Sequence, residues 1–441
     1  MTASVFDSPL FAHLFPTGDA GRLFSDTAAI RAMLLVEGAL ARAQAAQGII
    51  PKDSAQAIQR ATMEIQIDPG AIARATGENG VSVPGLVAAF RAEMNAPEHA
   101  QYVHWGATSQ DIIDTGLMLR LRQLLLLAEA DLRAVIGALA DQAERHAATP
   151  MAGRTYGQHA TPTSWGAVVA DWGHGLCDLL DALPALRVSS LLVSLSGAAG
   201  TSAALGPDAA ATRAALAKGL GLNDPARSWH VDRGPIMRIA DWLVQVTSQL
   251  ARMGGTLVAL TGSELGEVRL AAAGASSTMP QKQNPVAPSA LQALGFQATG
   301  MRAALAPATQ HLHQRDGAAW FAEWMVLPQI ALGAACALQH AKTLTAGMQP
   351  DPDRMAKTLD GTLGLIHAEA LSFALAAKMQ RPQAQAETKA LCAEAQTRQT
   401  PLETLARAAH PDLAADLFDA AQGLGLAASD ASTFVLRAKA L

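Results

Sequence analysis

The sequence predicts an all-α protein, with a long central helical bundle and smaller helical domains at its N- and C-terminal ends. Three observations point there. Between Asp111 and His146 there is no proline, and Leu117, Leu121, Leu124, Leu125, Leu132 and Leu139 recur at helical spacing. Comparable apolar periodicity returns in four later stretches, and no alternating pattern of useful length argues for strands. Half of the 441 residues are hydrophobic and only 4% aromatic, so a large core is available and small aliphatic side chains must fill it.

The elements follow in order. Residues 1–110 read as an N-terminal helical domain, with helical patterning over Thr27–Gln47 and a break at Gly48–Lys52. Residues 111–350 read as the central bundle. A helix over the whole Asp111–His146 interval would be about 54 Å long at about 1.5 Å per residue. Asp111 and Asp114 lie in or before its first turn, where an acidic side chain suits the helix dipole. A second helix is expected from near Thr163 past Trp172 and Leu180, with Pro184 ending or kinking it. Pro235 is placed to be the first residue of a third, running through Trp242, Leu250 and Leu257 toward Glu267. Pro288 opens a fourth to about Leu305, and a fifth covers Trp320 to Leu344. Residues 351–441 read as a C-terminal helical domain whose short helices are punctuated by Pro382, Pro401 and Pro411. Long, mostly apolar helices leave apolar surface around a bundle, which predicts self-association.

Composition excludes some classes of function. A formal net charge of −5 argues against a nucleic-acid binder driven by bulk charge, although local cations in a cleft can still serve an anionic substrate. Cys177, Cys336 and Cys392 are far apart, odd in number and without metal-ligand spacing; buried free thiols in a reducing cytoplasm are expected. No cluster of metal ligands stands out, and no cofactor is expected. Met1–Asp7 lacks a basic region followed by an apolar stretch, so no signal peptide is expected. Val188–Pro207 is broken by serines and glycines, and Met325–His340 by Pro328 and Gln329, so neither is expected to span a membrane.

The chemistry concentrates in Gly274-Ala275-Ser276-Ser277-Thr278-Met279-Pro280-Gln281-Lys282-Gln283-Asn284-Pro285. Small residues let backbone N–H groups approach a ligand. Lys282 adds a positive charge, and Asn284 an amide that can donate or accept. The combination suits a site where negative charge develops on a carboxylate and a hydroxyl acts as acid or base.

This segment resembles the signature loop of the fumarase/aspartase superfamily. Two other stretches resemble the same superfamily, in the same order: His104-Trp105-Gly106-Ala107-Thr108-Ser109-Gln110-Asp111-Ile112-Ile113-Asp114-Thr115 and Gly153-Arg154-Thr155-Tyr156-Gly157-Gln158-His159-Ala160-Thr161-Pro162. The resemblance implies a five-helix central bundle that packs as a homotetramer, with active sites built from segments of three subunits. It also implies roles. Ser276 is the catalytic hydroxyl, Lys282 stabilises an enediolate-like charge, and Ser277 and Asn284 hold substrate or shape the loop. His104, Thr108 and Ser109 form a carboxylate cradle before a helix N-terminus. Thr155, Tyr156 and Gln158 belong to a substrate-binding stretch. His159 could orient substrate or assist proton transfer, or could be a helix-start histidine bonded to backbone. Arg315 and Arg233 are candidates for gripping further carboxylates, or ordinary surface arginines. Ser196–Thr201 is similar to a small-residue pocket segment of the superfamily.

Tyr156 departs from many members of the superfamily, in which a histidine helps protonate the leaving group. A tyrosine, with an ordinary pKa of about 10, is a poorer acid–base group near neutrality. An amine or hydroxide needs a proton to leave; a carboxylate does not, because it is already ionised. The resemblance to the cycloisomerase branch therefore implies lactonisation of 3-carboxy-cis,cis-muconate in protocatechuate breakdown. Ser276 then delivers a proton to the carbon beside a carboxylate. The alternatives are a fumarate-releasing lyase and a catalytically silent structural homologue. Tyr156 and the absence of a histidine-aspartate pattern in Glu78–Pro84 argue against the first; intact Ser276, Lys282 and Asn284 argue against the second. The stretch from Gly266 to Ser276 is shorter than in many members and lacks their Glu-Pro, which bears on lid closure.

Overall fold

The computed structural model describes residues 4–271, 274–275, 278–279 and 281–441. The chain is all-α, as the sequence predicts. At the N-terminal end come α1 (Asp26–Ala46), α2 (Lys52–Glu64), α3 (Pro69–Asn79), α4 (Val83–Met94) and the single turn α5 (Pro97–Ala100). Ser25 caps α1, its hydroxyl accepting from Ala28 N–H at 3.2 Å.

The five expected long helices are all present. They are α6 (Ser109–Arg145), α7 (Trp165–Ser190), α9 (Gly234–Leu260), α10 (Val286–Leu305) and α11 (Gly317–Gly347), with the shorter α8 (Ala209–Leu220) between the second and third. In α6 all six leucines of the periodic pattern are buried, Leu121, Leu125, Leu132 and Leu139 completely. Each contributes about 1.5–3 kcal/mol by leaving water. In α9 the buried Ile236, Ile239, Leu243, Val246, Leu250 and Leu257 keep the same helical period. Pro184 lies inside α7 and does not end it. The α9 helix stops at Leu260, earlier than the pattern toward Glu267 predicts, because Thr261–Leu265 close into turns instead. The α11 helix is long and apolar enough to cross a membrane, yet 67% of its most apolar window is buried in the protein, as in a core helix. C-terminally follow α12 (Pro352–Asp360), α13 (Ala368–Ala376), α14 (Arg381–Arg398), α15 (Leu402–Ala409) and α16 (Ala427–Ala440).

The chain divides into two compact units. The first comprises Met1–Ala130, Leu179–Ser248 and Leu294–Gln339; the second comprises Asp131–Asp178, Gln249–Ala293 and His340–Leu441. Each long helix gives a stretch to both. Unit one buries a polar network around Asp111 and Arg233. Unit two holds a C-terminal core of Leu371, Leu375, Leu391, Leu402 and Leu405.

Strands are where the structure departs from expectation. Unit two contains an antiparallel hairpin, β1 (Pro150–Thr155) and β2 (Gln158–Ser164), before the second long helix, where no strand was expected. Tyr156 (φ 52°) and Gly157 (φ 74°) are both left-handed and form its two-residue turn, with Thr155 opposite Gln158. The strand pattern was masked by Gly153 and Pro162, which interrupt any apolar–polar alternation. Short pairs β3 (Val268–Leu270) with β6 (Met348–Pro350), and β4 (Gly274–Ala275) with β5 (Gln283–Asn284), complete the strands among the described residues.

The thiols match the expected free state: Cys177 and Cys336 are buried and Cys392 half-buried. Burial pushes the Cys336 thiol up to about 12, which keeps it protonated and unreactive.

Candidate active site

In unit one the His104–Thr115 stretch is organised by Asp111. Its carboxylate is wholly buried. Oδ2 accepts from the N–H groups of Thr108 (3.0 Å) and Gly197 (3.0 Å). Oδ1 accepts from Ser196 N–H (2.8 Å), the Ser194 hydroxyl (3.3 Å) and His230 Nε2 (2.8 Å). One side chain thus ties the start of α6 to the small-residue segment 194–197 and to His230. The loop that precedes α6 approaches the backbone just beyond this segment closely: Gly106 has φ 73°, and a Cβ there would lie 2.8 Å from Ala204 O. Only glycine fits both conditions.

Gln110 extends the network. Its Nε2 donates to His230 O (2.8 Å) and Asp114 Oδ2 (3.2 Å), and its Oε1 accepts from Arg315 Nε (2.7 Å). Arg315 Nη2 also reaches Ala198 O (3.3 Å) and Thr108 Oγ1 (3.5 Å). Arg315 is half-buried, and its Nη1 has no hydrogen bond among the described residues. Structure therefore brings Arg315 and Thr108 together beside Ser109, the first residue of α6. A half-buried guanidinium, a hydroxyl and a helix N-terminus make a site suited to a carboxylate.

Arg233 has a different place. Its guanidinium is completely buried, donating to Asp114 at 2.7 and 3.1 Å and to Glu323 at 2.7 and 2.8 Å, while it stacks over Trp229 with a 4.8 Å separation. The two carboxylates hold its pKa above the ordinary arginine value, against the pull of burial. Its grip is on protein carboxylates inside the fold, which corrects both alternatives its sequence left open, a substrate-gripping arginine and a surface one.

His104 lies at φ 62°, and its Nδ1 is 2.7 Å from Glu37 Oε1, with the His104 N–H donating to Oε2 at 3.1 Å. Burial lowers the imidazole pKa, but the hydrogen bond and charge of buried Glu37 outweigh it and the net direction is up from 6.5. A raised histidine stabilises the fold fully below pH about 6.5 and loses that contribution as pH rises through its folded-state value. In Glu37→Gln the His104 ring is expected to titrate at lower pH by NMR, and the melting temperature gap from the parent should shrink toward alkaline pH. An unchanged titration would remove Glu37 from this role.

In unit two the other described motif residues lie on or beside short strands. Thr155, Tyr156, Gln158 and His159 are all exposed at the end of the β1–β2 hairpin, with the Tyr156 side chain fully in solvent. His159 stands in β2 opposite Arg154. It does not start a helix, because the hairpin continues to Ser164. Arg154 anchors the hairpin by donating to the buried Glu267 Oε1 at 2.7 Å. Lys282 is exposed, its N–H donating to Met279 O at 3.0 Å, and Asn284 is half-buried in β5 opposite Gly274. Ser276 and Ser277 lie outside the described residues. No group of histidine, cysteine, aspartate and glutamate among the described residues has the arrangement to hold a metal ion.

Sequence reasoning did not single out Gln110, Glu37 or the hub role of Asp111. Glu37 left a readable signal, a lone acid inside the apolar run Leu34-Leu35-Val36-Glu37-Gly38-Ala39-Leu40. Beyond its place at the start of α6, nothing local marks Asp111 as a hub: apart from Thr108, its partners lie 83 to 119 residues away.

Residues 20–300 match the protein family described as lyase. The 3-carboxy-cis,cis-muconate cycloisomerase of Pseudomonas aeruginosa strain PAO1 is 40% identical to the chain over 391 residues, 88% of this chain and 85% of that protein. The cycloisomerase of the same name from Pseudomonas putida is 38% identical over 92% of this chain and 96% of its own length. The crystal structure of the 3-carboxy-cis,cis-muconate lactonizing enzyme from Pseudomonas putida superposes with a TM-score of 0.91 at 36% identity, covering 98% of this chain and 99% of that one.

Proposed function

The chain belongs to the lyase family, and from that premise we propose that it converts 3-carboxy-cis,cis-muconate to a carboxymuconolactone. The observation that carries this reading is likeness to the lactonizing enzyme over almost the whole of both chains. The reaction is an isomerisation: a carboxylate oxygen bonds to one carbon of a double bond, and the adjacent carbon, beside another carboxylate, takes up a proton. The attacking carboxylate needs no base, which fits a tyrosine at position 156.

The chain's residues divide the work. Arg315, Thr108, Ser109 and His104 bind substrate carboxylates. Lys282 stabilises the enediolate-like charge that builds as the carbon–oxygen bond forms. Ser276 gives the proton to carbon, with His159 orienting substrate or assisting the transfer. Thr155, Tyr156, Gln158, Ser277 and Asn284 complete the substrate contacts. Self-association into a homotetramer, through the long helices of residues 111–350, brings segments of three subunits into each active site. Residues 1–110 and 351–441 form the flanking helical domains. The enzyme works in the cytoplasm in β-ketoadipate catabolism, without a metal or organic cofactor and without nucleic-acid or membrane partners.

The test is the ultraviolet absorbance of the purified protein with 3-carboxy-cis,cis-muconate, run beside adenylosuccinate and argininosuccinate. Loss of the diene signal with both lyase substrates untouched is the expected result. Turnover of either lyase substrate with the muconate left intact would overturn the reading.

A further inference from the structure

Unit two holds a cleft of about 560 Å³ that none of the motif residues lines. Pro150, Leu359, Leu363, Pro401 and Phe418 give it an apolar body. Its ionisable lining is Asp360, Glu403, Asp419 and His367, and no lysine or arginine lines it among the described residues. Glu403 is already paired, accepting from Arg407 Nε at 2.8 Å. Asp419 uses Oδ1 to accept from Ala421 N–H at 2.9 Å, and Asp360 has no side-chain hydrogen bond among the described residues.

His367 is the second, independent observation. It is only 7% exposed, packs edge-on to Phe418 at 5.9 Å, and its ring nitrogens have no hydrogen bond among the described residues. The ring itself is enclosed, yet neither nitrogen is sealed from solvent, so both can take a hydrogen-bond partner from outside the protein. Burial pulls its pKa below 6.5, while Glu403 and Asp419 pull the other way; the net direction is down, so the ring is neutral at neutral pH and leaves the cleft negative.

We propose that this cleft binds a small primary amine carried on an apolar body. The ammonium sits between Asp360 and Asp419, donates a hydrogen bond to the bare ring nitrogen of His367, and lays its apolar part against Pro150 and Phe418. Charge selects the class: two carboxylates without cationic partners favour a cation and reject a carboxylate. The occupant also bears on β1, because Leu359 and Ala420 line the cleft and pack against Ala152. The proposal stands independently of the lactonisation reading.

The experiment titrates the full-length protein with benzylamine by calorimetry, with benzyl alcohol and benzoate as neutral and anionic counterparts. Two variants accompany the parent. Asp360→Asn with Asp419→Asn removes the charges at exposed positions, and Ala356→Trp fills the cleft from an exposed position on α12. Saturable binding of benzylamine alone, weakened at least tenfold in the double variant and lost in Ala356→Trp, is expected. No saturable binding, equal binding of benzoate, or affinity within twofold of the parent in either folded variant would overturn it.

Discussion

Replacing Arg233 with alanine is expected to destabilise the protein by about 3–5 kcal/mol, measured by urea or thermal denaturation. The guanidinium makes four charge-assisted hydrogen bonds to Asp114 and Glu323 in a site closed to water. Without it, two carboxylates stay buried near one another with no cation. Burial already pushes the Glu323 carboxyl above its ordinary range, with Arg233 pulling it down. Losing Arg233 removes that pull, so Glu323 should take a proton or unit one should loosen around it. The sign of the effect can be separated from packing loss. Changing Arg233, Asp114 and Glu323 together to apolar residues of similar volume should cost less than the single change, because the penalty lies in the uncompensated charges. A single variant within about 0.5 kcal/mol of the parent, the range of ordinary surface changes, would mean that water reaches the cluster.

Replacing Ser276 with alanine is expected to lower turnover of the muconate by about 10²–10⁴-fold or more, the range lost with a positioned proton-transfer group. Carbon accepts a proton slowly from solvent; in the proposed mechanism the Ser276 hydroxyl lowers that barrier, and Lys282 would lower it further by holding the charge that precedes the transfer. The change removes a single oxygen, so melting temperature and oligomeric state should match the parent. The diene assay on both proteins, with sedimentation to compare assembly, reads this directly. Unchanged turnover would take Ser276 out of the mechanism and move proton delivery to another group, with His159 the next to change.

The helices were legible because their information is local. Leucines at three- and four-residue spacing without proline define α6 whatever surrounds it, and Pro235 and Pro288 fall in the first turns of α9 and α10 as their chemistry requires. Pro184 was ambiguous from sequence because a helix tolerates proline when packing holds both halves, and in α7 Leu180 and Leu183 are buried before it and Ser190 after it. The hairpin was hidden for a related reason. Its turn relies on Tyr156 at positive φ, a conformation that a bulky side chain does not advertise.

By itself the sequence determined the helical class, the order of the three motif stretches and the residue types able to handle carboxylates and a proton. Tertiary structure alone decided which arginine is locked inside the fold and which keeps an accessible edge. Arg233 and Arg315 look alike as isolated arginines. One is locked between Asp114 and Glu323, 119 and 90 residues away, and the other rests half-exposed on Gln110 and Thr108. Asp111, expected only to complement a helix dipole, instead satisfies three backbone N–H groups, a hydroxyl and an imidazole. A buried charge must find its partners wherever the chain folds them to, and that pairing is a property of distance in space, which no local pattern encodes.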